Sequence, residues 1–131
     1  MAGELILIVE DNEKNMKLVR DLLQVKGYRT VESETAEEGI RLARETVPGL
    51  ILMDIQLPGM NGIEALKHLR SDPGTKHIPV LAVTASAMSQ DREKIMAAGF
   101  DGYHRKPLEI KEFLEAVRLT LEDSPSGGKA G

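Results

Sequence analysis

The sequence predicts an α/β fold, in which a doubly wound parallel sheet of five strands carries helices on both faces. Two observations lead to this prediction. Short apolar runs alternate five times with stretches that have helical spacing, and Gly or Pro marks the short connections between them. This alternation is typical of successive βα units with right-handed crossovers, and 131 residues suit a single domain with its own core.

The first strand and the first helix have clear boundaries in the sequence. Residues 5–9 form an apolar run between polar neighbours, which is typical of a strand buried on both faces. Residues 13–26 then repeat apolar side chains at helical spacing. Asn12 suits the N-cap of that helix, and Gly27 suits the left-handed residue at its end.

The second strand and the second helix follow directly. Residues 28–32 are more polar, so we expect a strand near an edge of the sheet. Thr35 suits the N-cap of a helix over 36–47, and Pro48 with Gly49 ends that helix.

The rest of the chain repeats the pattern three times. Strands are predicted over 50–53, 78–83 and 100–104, and helices over 62–70, from Met88 or Ser89 to Gly99, and over 109–121. The apolar stripe of the last helix consists of Ile110, Phe113, Leu114, Val117 and Leu121. We expect the flavodoxin-like strand order 2-1-3-4-5, one domain over 1–122 and a flexible Gly/Ser/Pro-rich tail over 123–131.

Composition and charge exclude several classes of function. The net charge of −4 disfavours a nucleic-acid surface, and two Phe, two Tyr and no Trp leave little for stacking on bases. The absence of cysteine rules out disulfides and thiolate metal sites. The run at 5–9 is too short for a signal peptide, and no run approaches the roughly 20 residues that span a bilayer. We therefore expect a cytoplasmic protein without direct DNA or membrane binding.

Polar residues collect where the predicted strands end. Glu10 and Asp11 follow the first strand, Asp54 the third, Thr84 the fourth and Lys106 the fifth. Because ligands of doubly wound sheets bind outside the carboxyl ends of the strands, we expect these side chains in one crevice. Taken singly, each has an ordinary explanation as a helix cap, a strand end or a surface charge. Taken together, three carboxylates repel one another and require protonation or a bound cation.

The chemistry of this set favours phosphoryl transfer. An all-oxygen site suits Mg²⁺, with Mn²⁺ as the alternative, better than it suits zinc. A divalent cation, the Lys106 ammonium and the Thr84 hydroxyl can stabilise a phosphoryl group that Asp54 accepts. A carboxylate is already ionised at neutral pH and needs no general base. Surface positions away from the acids are predicted for the three histidines, His68, His77 and His104.

With these residues in view, the chain resembles the response-regulator receiver domains, which have the CheY-like form of this fold. The matching elements are IVED at 8–11, LILMDIQLPGMNG at 50–62, VTA at 83–85 and YHRKP at 103–107. Their order and spacing match over residues 4–122. Within the family, the chain is similar to single-domain cell-cycle regulators of the DivK type and to receivers detached from hybrid histidine kinases.

The resemblance implies a two-component or phosphorelay role. Asp54 would receive a phosphoryl group from a histidine kinase or a histidine phosphotransferase, in a magnesium-dependent reaction. The chain would be a stoichiometric phosphoacceptor rather than an enzyme, would promote its own phosphorylation and dephosphorylation, and would signal to a downstream protein target. Mg²⁺ would be held by Glu10, Asp11, Asp54 and the backbone carbonyl of Gln56.

The resemblance also implies the residues of the switch. Lys106 would bind the phosphoryl group beside a cis Lys106–Pro107 bond, Thr84 would bond a phosphoryl oxygen, and Tyr103 would turn inward as Thr84 moves. From its residues alone, Tyr103 is a half-buried strand aromatic. The sequence departs from the common family pattern at Glu10 and Asn61, where Asp is frequent. Gln56 and Ser86 occupy positions at which the family tunes the lifetime of the phosphoryl group.

The sequence leaves three alternatives. A flavodoxin-like FMN carrier needs a phosphate-binding loop after the first strand, where this chain has the acidic EDNEKN, and aromatic residues for the flavin. A phosphatase with aspartyl-phosphate chemistry needs a second acid two residues after the nucleophile, where this chain has Gln56. A receiver that binds partners without phosphorylation does not need the complete set of acceptor residues found here.

Overall fold

The structure, a computed structural model, describes residues 3–85 and 89–123. Five parallel strands form one sheet in the order β2-β1-β3-β4-β5, which confirms the predicted fold class and strand order. The elements in chain order are β1 (Leu5–Val9), α1 (Glu13–Val25), β2 (Arg29–Ser33), α2 (Ala36–Thr46), β3 (Leu50–Asp54), α3 (Gly62–Ser71), β4 (Val80–Thr84), α4 (Ser89–Ala97), β5 (Gly102–Arg105) and α5 (Ile110–Asp123).

Helices cover both faces of the sheet, so the side chains on both faces of its strands lie in an apolar core. Successive strand residues point to opposite faces, so Leu7 and Val9 pack in the core beneath α2, α3 and α4. Ile6 and Ile8 pack in the second core, beneath α1 and α5. Every residue of β3 and β4 is buried. A strand with two buried faces has no polar alternation, which is why 5–9 and 50–53 are continuous apolar runs.

The predicted N-caps of the first two helices are confirmed. The Asn12 side chain accepts a hydrogen bond from the Asn15 N–H at 3.0 Å, and Thr35 Oγ1 accepts one from the Glu38 N–H at 3.1 Å. The predicted end of α2 is wrong by one residue, because Val47 is left-handed with φ 44° and caps the helix instead of continuing it.

Three strands begin one or two residues later than predicted, and β2, β3, β4 and β5 each end one residue later. Strand β2 begins at Arg29 because the Tyr28 N–H bonds the Leu23 carbonyl and still belongs to the end of α1. Strand β4 begins at Val80, since the Ile78 N–H bonds the Thr75 carbonyl in the preceding turn. Strand β5 begins at Gly102, two residues after the predicted start.

The predicted stripe of the last helix is partly wrong. Phe113, Val117 and Leu121 are buried, whereas Ile110, the first residue of α5, is 47% exposed. The helix continues to Asp123, one residue into the predicted tail; the rest of that tail, 124–131, lies outside the described residues, as does Ser86. No helix in the described parts of the chain combines the length and the apolar character needed to cross a membrane.

Candidate functional site

The topology brings the predicted site residues to one edge of the sheet. Strands β1, β3, β4 and β5 are successive neighbours and run parallel, so their carboxyl ends meet. Glu10 and Asp11 follow β1, Asp54 is the last residue of β3, Thr84 is the last of β4, and Lys106 follows β5. The crevice lies between β1 and β3, where the chain reverses its direction of travel across the sheet.

Three carboxylates form the centre of this crevice. One ligand oxygen each of Glu10, Asp11 and Asp54 lies within 4.8 Å of the others. Glu10 and Asp54 are both 4% exposed, whereas Asp11 lies at the mouth of the crevice and is exposed. Glu10 is fixed from both ends, because its N–H bonds the Ser33 carbonyl at 2.9 Å and its Oε2 accepts from the Asn12 N–H at 3.0 Å.

Lys106 places an ammonium group between two of these acids. Its Nζ lies 2.9 Å from Glu10 Oε1 and 3.3 Å from Asp54 Oδ2. The Lys106 N–H bonds the Thr84 carbonyl at 2.7 Å, and the predicted cis bond joins Lys106 to Pro107. The sequence placed Lys106 in the same crevice as Glu10 but did not predict a direct contact between them.

Burial and ion pairing have opposite effects on the pKa of Glu10 and on the pKa of Lys106. Burial raises the pKa of Glu10 above its usual range, although the ammonium of Lys106 and the Asn12 N–H counteract it. Burial also disfavours the charged form of Lys106, but the hydrogen bond to Glu10 and the charge of Asp54 outweigh it, so the pKa of Lys106 lies above its ordinary value. The lysine therefore stays charged at neutral pH.

Asp54 is held by the loop that follows it. Its Oδ1 accepts a hydrogen bond from the Gln56 N–H at 3.0 Å, and the Ile55 N–H bonds the Val83 carbonyl at 3.0 Å. The Gln56 side chain is exposed. Asn61, where Asp is frequent in the family, closes the loop by forming a reciprocal capping box with Glu64 at the start of α3.

The two predicted switch residues lie on neighbouring strands. Thr84 is 1% exposed, and Tyr103 is half-buried beside the core that α2, α3 and α4 cover. The guanidinium carbon of Arg92, on α4, lies 5.9 Å from the centre of the Tyr103 ring. A cavity of about 290 Å³ lies beside Thr84, between the β3–α3 loop and α4, and is lined by Ile55, Gln56, Asn61, Ile63, Thr84, Lys94 and Ile95.

One histidine prediction is wrong. His68 and His77 are exposed, as expected, but His104 is half-buried against α5. Its ring meets Phe113 edge to face at a centroid distance of 5.6 Å. Burial lowers the pKa of His104, with the carboxylate of Glu112 opposing the shift. The alternation of strand residues could have revealed this, because His104 is one residue from Tyr103 and faces the other core.

The donor set fits a divalent cation. Mg²⁺ binds oxygen ligands at about 2.1 Å, so any two of its ligands lie at most about 4 Å apart, and one oxygen of each carboxylate lies within 4.8 Å of the others. Lys106 offsets one of the three negative charges, and a divalent cation would offset the other two. Asp11, the exposed member, gives access from solvent, and the Gln56 carbonyl lies in the loop beside Asp54.

The fold and this acidic crevice define the class of protein, which is a phosphoacceptor domain of the CheY-like kind. Residues 6–118 match the family model for the response regulator receiver domain. The chain belongs to this family, as the sequence motifs predicted, and its function lies in two-component signalling.

Individual relatives agree with this assignment. The chain is 48% identical over 119 residues to the polar-differentiation response regulator DivK of Brucella ovis, covering 91% of this chain and 97% of the relative. The receiver domain of the sensor histidine kinase PA1611 from Pseudomonas aeruginosa PAO1 is 32% identical, with a TM-score of 0.83 over 90% of this chain and 97% of that one. That structure has a magnesium ion coordinated in its active site cleft. The chemotaxis protein CheY4 of Vibrio cholerae, at 24% identity, 91% and 99% coverage and a TM-score of 0.83, shows the fold alone.

Proposed function

We propose that Asp54 is the phosphoacceptor of this chain and that its donor is a phosphohistidine on a histidine kinase or a histidine phosphotransferase. The observation that carries the proposal is the convergence of Glu10, Asp11, Asp54 and Lys106 at the carboxyl edge of the sheet. Of the three carboxylates, Asp54 is the one that both ends a central strand and contacts the ammonium group directly.

In this proposal, the residues that would hold Mg²⁺ are Glu10, Asp11, Asp54 and the backbone carbonyl of Gln56. The bound cation would neutralise charge that develops on the phosphoryl oxygens. Mn²⁺ shares the preference for oxygen ligands and would substitute for it. The magnesium ion in the PA1611 receiver domain supports this choice of metal.

The transfer itself requires no general base. A carboxylate oxygen of Asp54 forms a bond to phosphorus, the P–N bond of the phosphohistidine breaks, and the imidazole nitrogen keeps the electron pair. Lys106 already points at both Glu10 and Asp54, so a small movement of Nζ lets it donate to an oxygen of the incoming phosphoryl group. The same groups would bind the phosphoryl group during hydrolysis, by which the chain would dephosphorylate itself.

Phosphorylation would be read out through Thr84 and Tyr103. A phosphoryl group adds acceptor oxygens at Asp54, and the Thr84 hydroxyl, at the end of the neighbouring strand β4, is the donor that would bond one of them. The 290 Å³ cavity beside Thr84 gives the Thr84 side chain and helix α4 space into which to shift. The population would then move toward a state with a different surface around α4, β5 and α5, which a downstream protein recognises.

The proposed partners are therefore proteins. The acidic net charge supplies no DNA-binding surface, and the expected location is the cytoplasm.

The phosphatase alternative is disfavoured because Gln56, exposed beside Asp54, cannot act as a general acid. The similarity to a protein named for polar differentiation supports a role in cell-cycle or cell-polarity signalling.

The test is the intact mass of the chain after incubation with acetyl phosphate. We expect the wild type to gain one phosphoryl group when Mg²⁺ is present and none when it is chelated. Asp54→Asn should gain none. Asp21→Asn, which removes an exposed carboxylate of α1, is the matched control and should label like the wild type. Equal labelling of Asp54→Asn and wild type would show that another residue is the acceptor.

A further inference from the structure

Gly62, the first residue of α3, lies against the backbone of the proposed acceptor. A Cβ atom built at Gly62 would lie 2.8 Å from the carbonyl oxygen of Asp54 and 2.9 Å from the Cα of Ile55. Both distances are shorter than real Cβ contacts, and both involve backbone atoms. The Gly62 N–H also bonds the Ile55 carbonyl at 3.1 Å. The start of α3 and the peptide after Asp54 therefore touch without an intervening side chain.

The helix side of this contact is firmly anchored. The capping box of Asn61 and Glu64 fixes the first turn of α3, and Ala65, Leu66 and Leu69 hold the helix in the core. Moving the helix away would expose these apolar side chains or leave cavities, which is costly in a close-packed interior. A side chain at position 62 would consequently displace the loop rather than the helix.

The loop side of the contact carries the ligands of the site. The peptide from Asp54 to Ile55 is held by the bond from the Ile55 N–H to the Val83 carbonyl, and the next N–H, that of Gln56, bonds the Asp54 carboxylate. A displacement of this peptide moves both the Asp54 carboxylate and the Gln56 carbonyl. These are two of the four groups assigned to the cation, and their separation determines how well they bind it.

Two other glycines are equally crowded, but by side-chain atoms rather than by backbone atoms. At Gly39, in α2, a Cβ would lie 2.8 Å from a methyl carbon of the Val9 side chain. At Gly102, a Cβ would lie 2.7 Å from a methyl carbon of Leu81. The flexible Leu81 side chain can change rotamer to relieve its contact, whereas the Asp54 carbonyl and the Ile55 Cα cannot.

We propose that Gly62 is a positioning residue for the cation site: the lack of a side chain there lets the backbone of Asp54 and the loop through Gln56 take the geometry that binds the divalent cation. The inference rests on the proposed function, because it assumes that Asp54 and Gln56 are cation ligands. Gly62 would thus contribute to the cation site although it neither contacts the cation nor carries a functional group.

The test is a Mg²⁺ titration of the unphosphorylated full chain, followed by amide chemical shifts in ¹⁵N-labelled protein. Gly62→Ala should raise the Mg²⁺ concentration at half-saturation about tenfold, as loss of a group that orients metal ligands commonly does. Gly102→Ala is the matched control, since it adds the same methyl group at a similar separation of 2.7 Å, but against the end of the Leu81 side chain. Its half-saturation should equal that of the wild type. Urea unfolding of all three proteins measures stability separately.

The outcomes separate this inference from the proposed function. Half-saturation of folded Gly62→Ala at the wild-type concentration would overturn the inference while leaving the metal site intact. A wild type that binds no Mg²⁺ would overturn the metal assignment and the inference with it. If Gly62→Ala does not fold, hydrogen exchange of the wild type decides: Mg²⁺ should slow exchange of the Gly62 amide more than that of the Gly39 amide, which bonds Thr35 within α2. Equal slowing of the two amides would overturn the inference.

Discussion

Replacing Lys106 with Met is predicted to destabilise the chain through the two acids it leaves behind. Lys106 Nζ lies 2.9 Å from Glu10 and 3.3 Å from Asp54, and the lysine side chain is only 18% exposed. At an effective dielectric constant of about 20, Coulomb's law gives about 6 and about 5 kcal/mol for these separations, and desolvation cancels much of that sum. Removal of one partner from a buried pair commonly costs 3–5 kcal/mol, so we expect a loss of about 3 kcal/mol for this partly exposed lysine.

The assay is urea unfolding followed by circular dichroism at neutral pH in metal-free buffer. Lys17→Met is the control, because Lys17 also pairs with an aspartate, Asp21, at 2.7 Å, but both side chains are about half exposed or more. An exposed pair of this kind contributes little to stability. A loss in Lys106→Met no larger than the loss in Lys17→Met would refute the view that Glu10 and Asp54 depend on Lys106.

Two further perturbations test the histidine and the exposed acid. Because burial lowers the pKa of His104, its contribution to stability is complete above its ordinary pKa near 6.5 and is lost as the pH falls toward the lower folded-state value. The free energy of unfolding of His104→Gln should therefore fall less between about pH 7.5 and about pH 5 than that of the wild type, and parallel curves would contradict the assignment. Asp11→Asn removes one of three like charges, so its melting temperature should exceed that of the wild type in metal-free buffer. Mg²⁺ should raise the melting temperature of Asp11→Asn much less than it raises that of the wild type. An equal rise in the two proteins would exclude Asp11 as a ligand.

The convergence of side chains at the strand ends could be predicted, because it follows from apolar runs visible in the sequence and from the topology that those runs imply. Residues 5–9 and 50–53 are continuous apolar runs only when both faces of a strand are covered, which implies a parallel sheet with helices on each side. In such a sheet the carboxyl ends of the strands share one edge. The convergence of Asp11, Asp54 and Lys106 therefore follows from the order of elements, and the family motifs gave the strand order 2-1-3-4-5 a second support.

What the sequence did not reveal depends on side-chain contacts between distant elements. Spacing alone places Ile110 on the buried stripe of α5, yet it lies at the very start of the helix, where the core no longer covers it. His104 resembles a surface residue by type, and only the alternation of strand residues indicates that it faces the core, where it meets Phe113 of α5. The ion pair between Lys106 and Glu10 joins residues from two strands that are not neighbours, so the topology places both in one crevice without showing that they touch. The crowding at Gly62 is likewise invisible without the position of the Asp54 carbonyl.

The arrangement of charges connects cation binding to the proposed switch. Three carboxylates and one ammonium leave two negative charges in the crevice, which one divalent cation balances. A phosphoryl group on Asp54 carries nearly two negative charges in place of the single charge of the carboxylate. The crevice then holds excess negative charge and oxygen atoms without donors. Because Lys106 also pairs with Glu10, it cannot bond all of them, and the additional donor that we propose is the Thr84 hydroxyl, at the end of the neighbouring strand. Its recruitment would move the end of β4, and this is how an event at Asp54 would reach the surface that includes Tyr103.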